Sequence, residues 1–173
     1  MLNIIVGENA SGKTVALNEV LEQYSLRDVA TNIADTSAYD VDVVDEKIDK
    51  INIKMPFDIE RQGTTIRLSA FDPDDDFDYD RCKEMYAIFD ALCSNKKYLV
   101  WDEPELGLPN GYRGWLFEAI SMVTNSFEEV WITTHFEGAD LMHDAKFYVV
   151  DKNKQLKEIS GDDASELLSK IWR

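Results

Sequence analysis

Cysteine, proline and positive charge are all in short supply in this chain. Two cysteines, Cys82 and Cys93, cannot by themselves build a disulfide framework or a zinc site. Lying on or beside one predicted helix, they read as buried thiols. No apolar run approaches the roughly 20 residues that a membrane helix needs. No secretory leader is expected either, because Met1 runs straight into Leu2-Asn3-Ile4-Ile5-Val6 with no basic start and no small-residue cleavage site. A cytoplasmic compartment is therefore expected. Eighteen Lys+Arg stand against 34 Asp+Glu, a formal charge of −16. Such a chain repels phosphate backbones at long range, so nonspecific nucleic-acid binding by the protein alone is not expected. What is present is apolar: 45% hydrophobic residues and 11% aromatics are enough for a core without staples. The length, 173 residues, is that of one domain, 1–173.

Short β-branched or apolar runs alternate with helical periodicity. Leu2–Val6, closed by Gly7, reads as a buried parallel strand, and 14–24 as a helix with Val15, Leu17, Val20, Leu21 and Tyr24 in register. Residues 25–50 carry no clear pattern. Ile51, Ile53, Met55, Phe57 and Ile59 alternate with polar residues, as do Ile66, Leu68 and Ala70, so 51–59 and 64–70 are expected to form an antiparallel hairpin turning at Gln62-Gly63. Pro56 puts the first strand at an edge or breaks it. Residues 71–80 hold six Asp and no base and read as a loop. Helices are expected at 81–93, 112–125 and near 138–144, and buried strands at Tyr98–Trp101 and Val130–Thr134. Strands at 146–150 and 155–159 and a closing helix Asp163–Trp172, capped by Asp162 or Asp163, complete the pattern. The alternation predicts an α/β fold, a mostly parallel sheet flanked by helices on both faces, with a small antiparallel hairpin insertion.

Three segments carry chemistry. Gly7-Glu8-Asn9-Ala10-Ser11-Gly12-Lys13-Thr14 fits G-x-x-x-x-G-K-[ST], preceded by a strand and followed by a helix. Backbone N–H groups of such a loop wrap a polyphosphate, Lys13 reaches the β- and γ-phosphates, and the Thr14 hydroxyl ligands Mg²⁺. Val15, the next residue, is counted with the nucleotide-binding set. In Tyr98-Leu99-Val100-Trp101-Asp102-Glu103-Pro104-Glu105 a buried strand delivers Asp102 to its tip, where open α/β sheets bind ligands. Asp102 is placed to hold Mg²⁺ through water, and Glu103 to act as general base on an attacking water. In Val130-Trp131-Ile132-Thr133-Thr134-His135 a third strand ends in a histidine facing the γ-phosphate. His143, in a predicted helix, reads as structural.

On these motifs the chain resembles the ABC-type P-loop ATPases, in the soluble branch of the SMC/RecF-like heads and the overcoming-lysogenization-defect ATPase domains. Gly7-x-Asn9-x-Ser11-Gly12-Lys13-Thr14 matches that branch's phosphate loop. Asp102-Glu103-Pro104-Glu105-Leu106-x-Leu108-Pro109 resembles its Walker B and D-loop, and Ile132-Thr133-Thr134-His135 its switch histidine. The resemblance covers 1–24 and 96–150 well, and leaves 25–95 as a divergent insertion or helical region. It implies ATP and Mg²⁺ as ligands, slow ATP hydrolysis and a DNA-repair, phage or defence setting. It also makes Gln62 a candidate for the glutamine that joins the metal. The family places strands before the phosphate loop, often with an aromatic that stacks on adenine. Here the chain opens on the phosphate-loop strand, so base recognition is expected from elsewhere or is lax.

The family's signature motif would fall near Asp78-Tyr79-Asp80-Arg81, which offers neither serine nor glycine. Two carboxylates there disfavour a symmetric ATP sandwich of identical chains. A protein partner, or a homo-oligomer through the ATP face or the acidic surface, is expected instead. The acidic loop itself is a solvated segment, a docking surface for a basic partner, a DNA-mimicking patch, or a calcium loop that lacks its glycine and final glutamate. Two further readings of the whole chain compete. One is a nucleotide-dependent interaction or regulatory module with little hydrolysis. The other is a small-molecule kinase, disfavoured because the six arginines do not cluster into a lid.

Overall fold

A computed structural model describes residues 1–31, 33, 57–62, 65–70, 96–105, 117, 120, 121, 124–135, 139 and 144–171, with the backbone path alone for 57–62 and 65–70. β1 (Leu2–Val6) is buried at all five positions, as a strand covered on both faces must be. It is flanked in parallel by β6 (Glu129–Thr134) and β7 (Ala145–Val150). β5 (Tyr98–Trp101) pairs in parallel with β6, and β2 (Val29–Thr31) with β5. β8 (Leu156–Ile159) returns antiparallel along β7. The six-stranded order is β2-β5-β6-β1-β7-β8. It is the mostly parallel sheet expected, with β2 found inside the segment where the sequence shows no pattern.

α1 (Lys13–Leu21) turns Ala16, Leu17, Val20 and Leu21 inward. Ala16, Leu17 and Leu21 pack with Ile5, Val29 and Val100, and Tyr148 and Val150 press on the same cluster. The helix stops at Leu21, three residues short of the expected end. The amides of Gln23 and Tyr24 bond back to the carbonyls three residues earlier, at 3.1 and 3.0 Å, which closes the last turn. Tyr24 is still inward, but through stacking on Tyr98 at 4.2 Å rather than through helix periodicity.

α2 (Gly161–Ile171) covers the other face: Phe147, one residue out of phase with Tyr148, is the side chain nearest Gly161. Its cap differs from the one expected. Ser160 Oγ accepts the Asp163 amide at 3.0 Å, and the Ser160 carbonyl takes the Ala164 amide at 3.0 Å. Serine therefore caps, and Asp162 and Asp163 lie in the first turn, where their charge meets the helix dipole.

β3 (Phe57–Gln62) and β4 (Thr65–Ala70) form the separate antiparallel pair, from Phe57↔Ala70 to Gln62↔Thr65. The described part of β3 starts at Phe57, residues 51–56 lie outside the described residues, and Gln62 is a paired strand residue rather than part of the turn. The acidic loop 71–80, the helix 81–93, the signature slot at 78–81, the stretch 106–109 and His143 lie outside the described residues. So does most of the helices expected at 112–125 and near 138–144.

Candidate functional site

Three parallel neighbours, β5, β6 and β1, end side by side, with Trp101 opposite Ile132 and Val6 opposite Thr134. The residues that follow each strand therefore meet at one edge of the sheet. After β1 the chain curls through Gly7 (φ 155°), Ala10 (φ 60°) and Gly12 (φ 92°) before α1 starts. A Cβ on Gly7 would stand 2.8 Å from Ser11 Oγ, so a side chain there would displace Ser11 and strain the backbone. The curl folds around its own lysine. Lys13 Nζ donates to the carbonyls of Gly7 (2.9 Å) and Glu8 (2.8 Å) and is 4% exposed.

The β5 tip is locked to the β6 tip and to α1. The Thr14 hydroxyl donates to Asp102 Oδ2 at 2.9 Å, and the Thr133 hydroxyl to Asp102 Oδ1 at 2.5 Å. The Glu103 amide donates to both the carbonyl (3.1 Å) and the hydroxyl (2.9 Å) of Thr133. These bonds hold Glu103 in a left-handed conformation, φ 42°, which costs a non-glycine residue about 1–3 kcal/mol. In return its carboxylate comes within 3.7 Å of Lys13 Nζ and 3.4 Å of His135 Nδ1. Lys13, Thr14, Asp102, Glu103 and His135, read as separate motifs in the sequence, thus form one connected set.

Sequence reasoning passed over three residues that hold this set in place, Thr133, Thr134 and Glu105. Thr133 is fully buried and serves both Asp102 and Glu103. Glu105, 1% exposed, accepts the Thr134 hydroxyl at 2.5 Å and the His135 amide at 3.1 Å. Its Oε1 also lies 3.8 Å from His135 Nδ1. Burial pushes the Glu105 carboxyl above its ordinary 4.5, while the bonds from Thr134 and the backbone pull it back in part. The legible signal was a second glutamate after Asp-Glu-Pro, opposite two threonines at a parallel strand end. Gln62 ends β3 in the separate two-stranded sheet.

Oxygen donors from Thr14 and Asp102, 2.9 Å apart at the lip of the loop, suit a hard cation. Among the described residues no group of three or more His, Cys, Asp or Glu is gathered as a metal site. The two oxygens fit a Mg²⁺ that takes its remaining ligands from nucleotide phosphate and water, as that ion commonly does.

No family model and no curated protein matches the chain. Solved structures do. A protein named as a cobalt transport ATP-binding protein (cbiO-2, ST1066) superposes with a TM-score of 0.58 at 16% identity, over 93% of this chain and 69% of its own. A metal-chelate type ABC transporter in an inward-facing conformation gives 0.56 at 16% identity, over 99% and 77%. The fold is that of ABC ATP-binding proteins.

Proposed function

We propose that the chain is a small ABC-type ATPase that binds Mg²⁺-ATP in the loop 7–14 and hydrolyses it slowly, with Glu103 as general base. One observation carries this reading. The Thr14–Asp102 hydrogen bond and the Glu103 contacts with Lys13 and His135 join the phosphate loop to two strand tips. Lys13 would exchange its two carbonyl partners for the β- and γ-phosphate oxygens, and the turned amides of the loop would take the rest of that charge. Thr14 and Asp102 would hold the Mg²⁺, which when bound neutralises charge on the β- and γ-oxygens. Glu103 would take a proton from water attacking the terminal phosphorus while the bond from that phosphorus to the β–γ bridging oxygen breaks and ADP leaves. His135 on its flank keeps the carboxylate in line, and Asn9, Ala10, Ser11 and Val15 line the phosphate path.

The Asp102-Glu103-Pro104-Glu105 form favours the soluble SMC/RecF-like and overcoming-lysogenization-defect branch, and with it a DNA-linked or defence setting and a cytoplasmic location. Transport belongs to the two structural neighbours by name, at 16% identity in both cases. The test is turnover by parent and Glu103→Gln, with binding of a fluorescent ATP analogue measured alongside. The amide keeps the shape but cannot accept the proton. Binding should stay within a few-fold and turnover should fall on the order of 10²-fold or more. Equal turnover moves the base elsewhere. Binding without turnover in the parent favours a nucleotide-dependent regulatory module.

A further inference from the structure

Resting on the ATP-binding reading, we propose that the nucleoside half of the nucleotide seats in the cavity between the tip of β7 and α2. The sheet order sets the direction. The strand tips that bear Asp102, Glu103 and His135 belong to β5 and β6, both on one side of β1. A triphosphate whose γ end faces those residues runs back across the loop toward the other side of β1. The strand on that side is β7.

A cavity of about 260 Å³ opens at that place. Gly7, Glu8 and Ser11 of the phosphate loop border it on one side, and Val149, Val150 and Leu167 on the other. It shares three loop residues with the phosphate path and is continuous with it. Its chemistry is nonetheless wrong for phosphate. Among its described lining residues the one charged side chain is Glu8, an anion, and there is no lysine or arginine. A carboxylate repels the triphosphate and accepts hydrogen bonds from the hydroxyls of a ribose or the N–H groups of a base. The two valines and Leu167 are only half-buried. They offer apolar surface for the faces of a planar, uncharged ring, and most ligand pockets combine such walls with a few polar groups. With one carboxylate and one serine as its polar side chains, the cavity holds a base by shape more than by edge recognition.

Calorimetric titration of Mg²⁺-ATP and of Mg²⁺-tripolyphosphate, which has the phosphates and no nucleoside, separates the two halves. The parent should bind ATP at least about tenfold tighter than tripolyphosphate. Leu167→Trp fills the cavity from a half-buried position. It should weaken ATP by about tenfold or more and leave tripolyphosphate within about twofold. Leu167→Phe, a smaller filler, serves should the tryptophan lower the melting temperature. Unchanged ATP affinity in the folded filler, or equal losses for both ligands, overturns the cavity assignment. So does a parent that binds tripolyphosphate as tightly as ATP. A parent that binds neither ligand overturns the phosphate-loop reading itself.

Discussion

Replacing Thr133 by valine removes one hydroxyl that serves two partners. The side chain is fully buried, so water does not take its place. Its bond to Asp102 Oδ1 is short and has a charged acceptor, a class that contributes about 1.5–3 kcal/mol. The bond from the Glu103 amide is of the neutral class, about 0.5–1.5 kcal/mol. It is partly backed up, because the same amide also reaches the Thr133 carbonyl at 3.1 Å. The added methyl returns some apolar burial, and a net loss of about 2 kcal/mol is expected. For a chain of this size that is a fall of about 4–8 °C in melting temperature. The functional cost should be larger than the stability loss suggests. Asp102 loses one of the anchors that aim it at the proposed Mg²⁺, and removal of such supporting groups typically costs about 10–100-fold in metal affinity or activity. Thermal melts and turnover at graded Mg²⁺ measure both effects. Thr133→Ser keeps the hydroxyl and should restore turnover to within a few-fold. If the valine variant melts within a degree of the parent and needs no more Mg²⁺, Thr133 is not the clamp described.

Lys13→Ala should lose ATP-induced stabilisation, which for a parent at about 100 Kd of ligand is about 2.7 kcal/mol, or roughly 5–10 °C; equal shifts in both proteins refute the phosphate-loop reading. Glu105 gives a pH signature. Its carboxyl titrates higher folded than unfolded, so its contribution to stability is full below the unfolded value and is lost as pH rises through the folded one. Glu105→Gln mimics the protonated form, so in chemical denaturation it should gain on the parent as pH rises from 4.5 upward. A difference that stays flat with pH would mean that the buried carboxyl is not the titrating group.

Where local chemistry alone decides, the sequence could be read. β1 and β5 fall where their buried apolar runs put them, and the loop between β1 and α1 is dictated by two glycines and a lysine. Ends of elements were harder. Tyr24 looked helical because a tyrosine stacked on another element is as apolar in sequence as one on a helix face. The α2 cap went to an aspartate, although Ser160 heads the same Ser-Gly-Asp-Asp run and either type can cap. β2 carried too few residues, Val29-Ala30-Thr31, to show a period. In the site, Lys13, Thr14, Asp102, Glu103 and His135 were legible because each has a motif. Thr133, Thr134 and Glu105 act only across strands. That depends on register, which a single sequence does not display.

The register has a mechanical meaning for the proposed catalysis. A displacement of about 1 Å at a reacting group can cost about 10²-fold in rate. Here His135 directly follows β6 and Glu103 follows β5 after Asp102, and these two strands share backbone hydrogen bonds, while the phosphate loop leaves a third strand, β1, bonded to β6. The spacing of the β5 and β6 tips is set by the pitch of a parallel ladder, about 4.8 Å per strand, while the curled loop after the adjacent β1 carries Lys13 to them. The ladder is also the centre of the hydrophobic core, with Ile4, Val100 and Ile132 at or near zero exposure. Dimensional accuracy at the site and cohesion of the fold thus come from the same bonds. A substitution that shears these strands alters both at once, whereas the neighbouring Asp151–Gln155 turn, beyond the end of β7, can vary in sequence without changing the gauge.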